Sequence, residues 1–158
     1  MNCVLFVGCS RRKVSTITAI TALELYSGGG IPEIRDYVAQ YPVFRERIFI
    51  LSAKYGLLGA DDRIKTYDAV LSLDAALVLR KQVWADIQQR VLLPFAPDTI
   101  LVLAEPLYFA LLGDLLEHTP PARIIWEPDI HNGVQRIIQQ MQACGTATPE
   151  LNRTTGIA

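Results

Sequence analysis

Three short runs recur along the chain with almost no polar residue in them: residues 3–7 (CVLFV), 48–51 (IFIL) and 99–104 (TILVLA). A fourth, residues 123–126 (RIIW), is shorter and begins with a charge. Apolar runs of this length, rich in β-branched residues, suit strands buried on both faces. Segments with helical spacing separate them. Alternating strands and helices imply a parallel sheet covered on both sides. The expected fold class is α/β: a three-layer α/β/α sandwich with a mainly parallel central sheet of about four strands, in a single domain.

The helices follow from their boundaries. Ser15 or Thr16 can cap a helix running through Tyr26, with Ile17, Ile20, Leu23 and Leu25 on its apolar face. Gly28-Gly29-Gly30 breaks it. Pro32 suits a first helical position, and residues 33–40 resume as a helix that Pro42 closes. Asp74 is the expected cap of a helix to about Leu93, which Pro94 and Pro97 end. Residues 107–116 form the next, with Pro106 near its start. Pro120-Pro121 turns the chain. A last helix runs from Asn132-Gly133 to about Cys144, where Gly145 stops it. The domain is expected over residues 1–145, with 146–158 a frayed tail poor in apolar residues.

Composition excludes several classes. The chain has 158 residues and is 51% hydrophobic, enough for a proper core and unlike a disordered chain. Its formal net charge is -1, so no global field calls for nucleic acid, although a local basic patch is compatible with it. No apolar stretch reaches the length of a membrane span. Cys3, Cys9 and Cys144 form no CxxC pair and no zinc spacing. With no signal peptide, they read as reduced thiols of a cytoplasmic protein.

Parallel sheets place ligands beyond the carboxyl ends of their strands. Here those exits are residues 8–13, 52–68, 104–108 and 127–133, which are also the most polar and irregular connections. The first, Gly8 to Lys13 (GCSRRK), gathers backbone N–H groups with Arg11, Arg12 and Lys13, and a phosphate would suit it. It lacks the P-loop spacing. It is also no cysteine-phosphatase loop, since Ser15 stands where that loop needs arginine. Cations could activate Cys9, yet no histidine partner is evident, and a small packed cysteine is the plainer reading. Ser10 belongs to the same turn.

The second exit carries Ser52, Lys54, Tyr55, Gly56, Asp61, Asp62, Tyr67 and Asp68. A carboxylate in a dry pocket can activate water or steady an oxocarbenium-like centre, and Asp68 is the expected one, with Asp61 and Asp62 as alternatives. Ser52 and Lys54 leave the strand on one face. Tyr55 and Tyr67 offer stacking surfaces for a base. The plainer reading is an Asp-rich turn edged by tyrosines; so long a loop in a compact domain argues against it. Glu127, Asp129 and His131 match no metal-ligand motif, so no metal is expected, and no cofactor. His118 reads as a surface residue. Trp84 and Trp126 read as core, with Trp126 able to reach a pocket rim.

Several segments occur together in order: "CS" with Lys13 after the first strand, LYSG (25–28), ILSAKYGLL (50–58), TYDAVL (66–71) and a late Pro128 and Gly133. This combination resembles a family of small, functionally uncharacterised bacterial and phage proteins with a CS-x-x-K and LSAKYGLL-type signature. The resemblance spans roughly residues 3–140. That family is distantly similar to the YaaA peroxide-stress proteins, which are associated with DNA binding. At fold level it is similar to uracil-DNA-glycosylase-like domains and to domains accompanying archaeosine transglycosylases. The positions that carry over are Cys9, Ser10, Lys13, Tyr26, Ser52, Lys54, Tyr55, Gly56, Tyr67 and Asp68. Thr66 departs from the proline common in the family before the Tyr-Asp pair, which should loosen that loop.

Residues and resemblance together imply a protein acting on a nucleobase, nucleotide or nucleic acid, with cleavage or exchange of an N-glycosidic bond as the leading reaction. Asp68, Ser52 and Lys54 would be catalytic; Cys9 to Lys13, Tyr55, Gly56 and Tyr67 would hold substrate. The alternatives are a non-catalytic DNA- or RNA-binding stress module of the YaaA type and a partner-binding domain without a pocket at the strand exits. No membrane partner is expected.

Overall fold

The computed structural model describes residues 2–118 and 122–146. In chain order the elements are β1 (Cys3–Gly8), β2 (Ile20–Thr21), α1 (Ala22–Leu25), α2 (Ile31–Gln40), β3 (Ile48–Ser52), β4 (Gly56–Gly59), β5 (Arg63–Ile64) and α3 (Leu73–Ile87). Then come α4 (Leu93–Phe95), β6 (Thr99–Leu103), α5 (Pro106–Phe109), α6 (Gly113–Glu117), β7 (Arg123–Glu127) and α7 (Ile130–Thr146). The main sheet has five strands in the order β4-β3-β1-β6-β7. β3, β1, β6 and β7 run parallel, and they are the four anticipated strands. β4 is added antiparallel at the β3 edge, with Ser52 opposite Gly56.

Period-two alternation splits the interior into two cores. Cys3, Leu5 and Val7 of β1 face one, with Leu23, Ile34, Ile137 and Met141 from the helices. Val4 and Phe6 face the other, with Val83, Ile87 and Leu115. Every β1 and β3 residue is buried, which is why these strands are apolar throughout. The result is the expected three-layer α/β domain.

Several local expectations are corrected. Residues 15–21 are not helical: β2 pairs antiparallel with β5, and α1 is only four residues long. The stretch is rich in β-branched residues, and the Thr16 hydroxyl bonds the Thr18 carbonyl at 2.7 Å, competing with helix formation. Ser72, not Asp74, caps α3, accepting from the Ala75 N–H at 3.1 Å. The helical path continues past Leu93, because a π turn at Gln88–Leu92 resets the register and seats Pro94 early in α4. It ends at Ala96, in the left-handed region with φ 41. A 3-10 turn at Ala110–Leu112 divides the expected helix over 107–116. Gly145 lies inside α7 rather than ending it. The Pro120-Pro121 turn, and the expected tail beyond Thr146, lie outside the described residues.

The cysteines also differ from expectation. Cys3 and Cys144 form a disulfide with a Cα–Cα distance of 6.2 Å, leaving Cys9 as the free thiol. The bond joins the start of β1 to the end of α7, a contact hidden by a sequence separation of 141. Among the described residues no helix is long and apolar enough to cross a membrane.

Candidate functional site

The first two strand exits fold against each other. The Cys9 N–H donates to the Leu51 carbonyl at 2.9 Å, and the Ser27 N–H donates to the Arg12 carbonyl at 3.0 Å. Ser10 Oγ accepts from the Gly28 N–H at 3.2 Å and donates to the Arg12 carbonyl at 2.7 Å. Lys13 and Tyr26 form a β-bridge. The basic turn is thus fastened to the glycine triplet. Gly29 sits at φ +64, and a Cβ on Gly30 would come within 2.6 Å of Leu103 Cδ2, so the triplet answers both backbone and packing demands.

Under this turn lies a cluster of hydroxyls. Tyr67 OH is 2.6 Å from Tyr26 OH and 2.8 Å from Ser52 Oγ. Ser52 is fully buried and accepts from the Lys54 and Tyr55 N–H groups at 3.2 and 3.1 Å. With its lone pairs so occupied, its own proton is directed to Tyr67. The Tyr67 ring meets Tyr55 edge-on at 5.5 Å, and Lys13 Nζ lies 4.4 Å from its centroid. Lys54 Nζ is 5.7 Å from the same ring. Burial first, then the Tyr67 hydroxyl, push Tyr26 far above the usual phenol range. Burial, with Cys9 beside it, pushes Tyr67 up to about 12. Tyr108 is raised by burial and by Cys9, whose Sγ is 3.3 Å from its hydroxyl. At neutral pH these phenols are protonated, able to donate hydrogen bonds but not to act as bases.

Beside the cluster, at the carboxyl ends of β1 and β6, opens a cavity of about 310 Å³. It is lined by Cys9, Ser10, Arg11 and Gly29, by Ala69 to Leu71, and by Glu105, Leu107, Tyr108 and Ile130. The wall combines a cation, a carboxylate, a thiol, a phenol and aliphatic surface. A pocket of mixed apolar lining with few polar groups is what a small-molecule site requires.

Comparison with known proteins places the chain by its sequence. The model described as Family of unknown function (DUF6884) matches residues 4–142. The chain belongs to that family. No curated protein and no solved structure matches it. The matched DUF6884 region contains the whole cavity wall and the tyrosine cluster.

Within this DUF6884 domain the structure gathers most of the candidate residues. Cys9, Ser10 and Arg11 line the cavity. Lys13, Ser52, Lys54, Tyr55 and Tyr67 form the adjoining cluster. Gly56, at φ +76, starts the turn back into β4. Arg12 and Asp68 are exposed at the surface, as are the cavity-lining Arg11 and Glu105, and Asp68 is not part of the cavity wall, although the next three residues are. Asp61 and Asp62 are drawn elsewhere. They pair with Arg45 and Arg90 at the opposite end of β4. Glu127 pairs with Arg136, and Asp129 accepts from Asn132. Thr66 does not loosen its loop: its Oγ1 accepts from the Thr16 N–H at 3.1 Å and donates to the Val14 carbonyl. Sequence reasoning did not single out Glu105, Tyr108, Gly29 or Ile130. The strand-exit rule already pointed to residues 104–108; what was lacking was a reason to prefer Glu105 over three aspartates nearer the family motif.

Proposed function

We propose that this protein binds a nucleobase-bearing ligand in the 310 Å³ cavity and acts on its N-glycosidic bond. The observation that carries the reading is that Arg11 and Glu105, a cation and a carboxylate, line one pocket at the strand ends. Arg11 and the start of α2 at Gly29-Gly30, which has no side-chain cap, suit a phosphate. The aliphatic side chains of Val70, Leu107 and Ile130 suit the face of a base or sugar. Glu105 takes the part first assigned to Asp68: its carboxylate stabilises positive charge developing on the sugar, or accepts a proton from attacking water. The neutral phenol of Tyr108 can donate a hydrogen bond to the departing base. The resemblance expected from the sequence motifs, to uracil-DNA-glycosylase-like domains and to YaaA proteins, would imply the same substrate class.

The test is base release, followed by chromatography, from nucleosides, nucleotides and single- and double-stranded oligonucleotides. Wild type should release base from at least one; Glu105→Gln should lower the rate by at least about a hundredfold, in line with general acid–base contributions. Asp68→Asn should have little effect. Equal rates for Glu105→Gln and wild type, or no binding of any nucleotide, would overturn the reading.

One observation favours a second reading, nucleic-acid binding without turnover. Among the described residues, Arg11, Arg12, Lys13 and Lys54 take part in no ion pair with a carboxylate. Such cations suit a phosphate backbone. Salt-dependent binding without base release would select this reading.

A further inference from the structure

The strand β7 carries, as its second-last residue, an aromatic that the cavity does not use. Trp126 is 36% exposed on the edge strand of the sheet. Its ring lies on Phe109 with centroids 3.9 Å apart and an interplanar angle of 5°. Its indole N–H donates to the Ala104 carbonyl at 2.8 Å. One end of the indole is therefore held by a hydrogen bond and one face by a stacked ring. The residues that hold the indole are chain neighbours of the cavity wall: Ala104 precedes cavity-lining Glu105, and Phe109 follows cavity-lining Tyr108.

We propose that the Phe109–Trp126 stack is a second base subsite, so that the ligand is a single-stranded oligonucleotide rather than a mononucleotide. The inference rests on the nucleobase reading above and deepens it. A cavity of about 310 Å³ has room for one nucleoside-sized group, and a neighbouring base must lie outside it. A large aromatic already fixed in orientation loses little freedom when a base stacks on it. Stacking tolerates any base, because every base offers a π-face. A tryptophan serving only to cover the sheet edge would not need an exposed ring beside a pocket. Arg11 on the cavity wall, with Arg12 and Lys13 next to it in the chain, supplies charge for the backbone of the same strand.

The experiment uses the full chain in a Trp84→Phe background, which leaves Trp126 as the one tryptophan of the two. Short single-stranded oligothymidylate and thymidine monophosphate are titrated separately. Oligothymidylate should quench Trp126 emission and the monophosphate should not. Trp126→Ala should lower the ratio of oligonucleotide to mononucleotide affinity roughly tenfold or more. Trp126→Phe keeps a stacked ring and should lose less, which guards against a variant that misfolds. Unquenched emission with oligothymidylate bound, or an unchanged affinity ratio in Trp126→Ala, overturns the subsite while leaving the cavity reading standing. If neither oligothymidylate nor thymidine monophosphate binds, the subsite is overturned, and the cavity reading falls with it when other nucleotides also fail to bind.

Discussion

The phenol oxygens of Tyr26 and Tyr67 lie 2.6 Å apart although 41 residues separate them in the chain. Tyr26 is fully buried, and this contact ties the residues before the glycine-rich turn to the Tyr67-Asp68 segment. Ser52, 2.8 Å from Tyr67, adds the end of β3 to the same link. Three segments thus meet at one hydroxyl, Tyr67 OH, beside the cavity.

The two tyrosines should not be equivalent. Tyr26→Phe removes one hydrogen bond and leaves Tyr67 bonded to Ser52, a loss of about 1 kcal/mol. Tyr67→Phe strands both the Tyr26 hydroxyl and the Ser52 proton in a dry interior and should cost about 2–3 kcal/mol. Denaturant unfolding of both single variants and the double variant checks this. The double variant should cost less than the sum, since the shared bond is removed once.

The same cluster predicts alkaline instability. Tyr67 is raised in the folded state from the ordinary 10.0 to about 12, and burial raises Tyr26 and Tyr108 as well. A group whose folded pKa is raised contributes stability that is complete below its unfolded pKa and is lost as pH rises through the folded one. Stability should therefore be flat up to about pH 10 and fall between there and about pH 12. Tyr67→Phe should flatten that fall. A phenolate absorbance titration coincident with that of the denatured chain would contradict it.

The parallel strands were legible because burial on both faces forces a run such as residues 3–7 to be apolar at every position. β4 was not. Its sequence, GLLG, begins with a positive-φ glycine and ends with Gly59, where a Cβ would come within 2.7 Å of an Arg90 guanidinium nitrogen. Both glycines serve tertiary contacts, yet read locally as turn punctuation. The Tyr26–Tyr67 bond and the Cys3–Cys144 disulfide leave no local trace for the same reason: no spacing rule links positions so far apart. Of the candidate cavity, strand-exit topology and the basic triplet pointed to Cys9 to Arg11, whereas that Glu105 and not Asp68 lies on its wall needed the structure.

The disulfide gives a prediction independent of function. Alkylation of the native, unreduced protein followed by mass spectrometry should label Cys9 and leave Cys3 and Cys144 unlabelled. Breaking a cross-link over so long a loop, by a dithiol reductant or by Cys144→Ser, should cost about 2–5 kcal/mol. Labelling of all three cysteines in protein prepared without reductant would refute the pairing.

Salt dependence separates the cations that hold the fold from those left for a ligand. Arg35, Arg45, Arg80, Arg90 and Arg136 each face a carboxylate, so their charge is largely compensated within the protein. Arg11 lines the cavity without such a partner, and Lys13, also without one, lies over the Tyr67 ring of the adjoining cluster. If both neutralise phosphates of a bound single strand, each should contribute roughly 0.7 to the slope of log affinity against log salt. Arg11→Ala and Lys13→Gln should each lower the slope by about that amount and Arg136→Gln should not. A slope unmoved by the first two would place the nucleic-acid backbone on another surface.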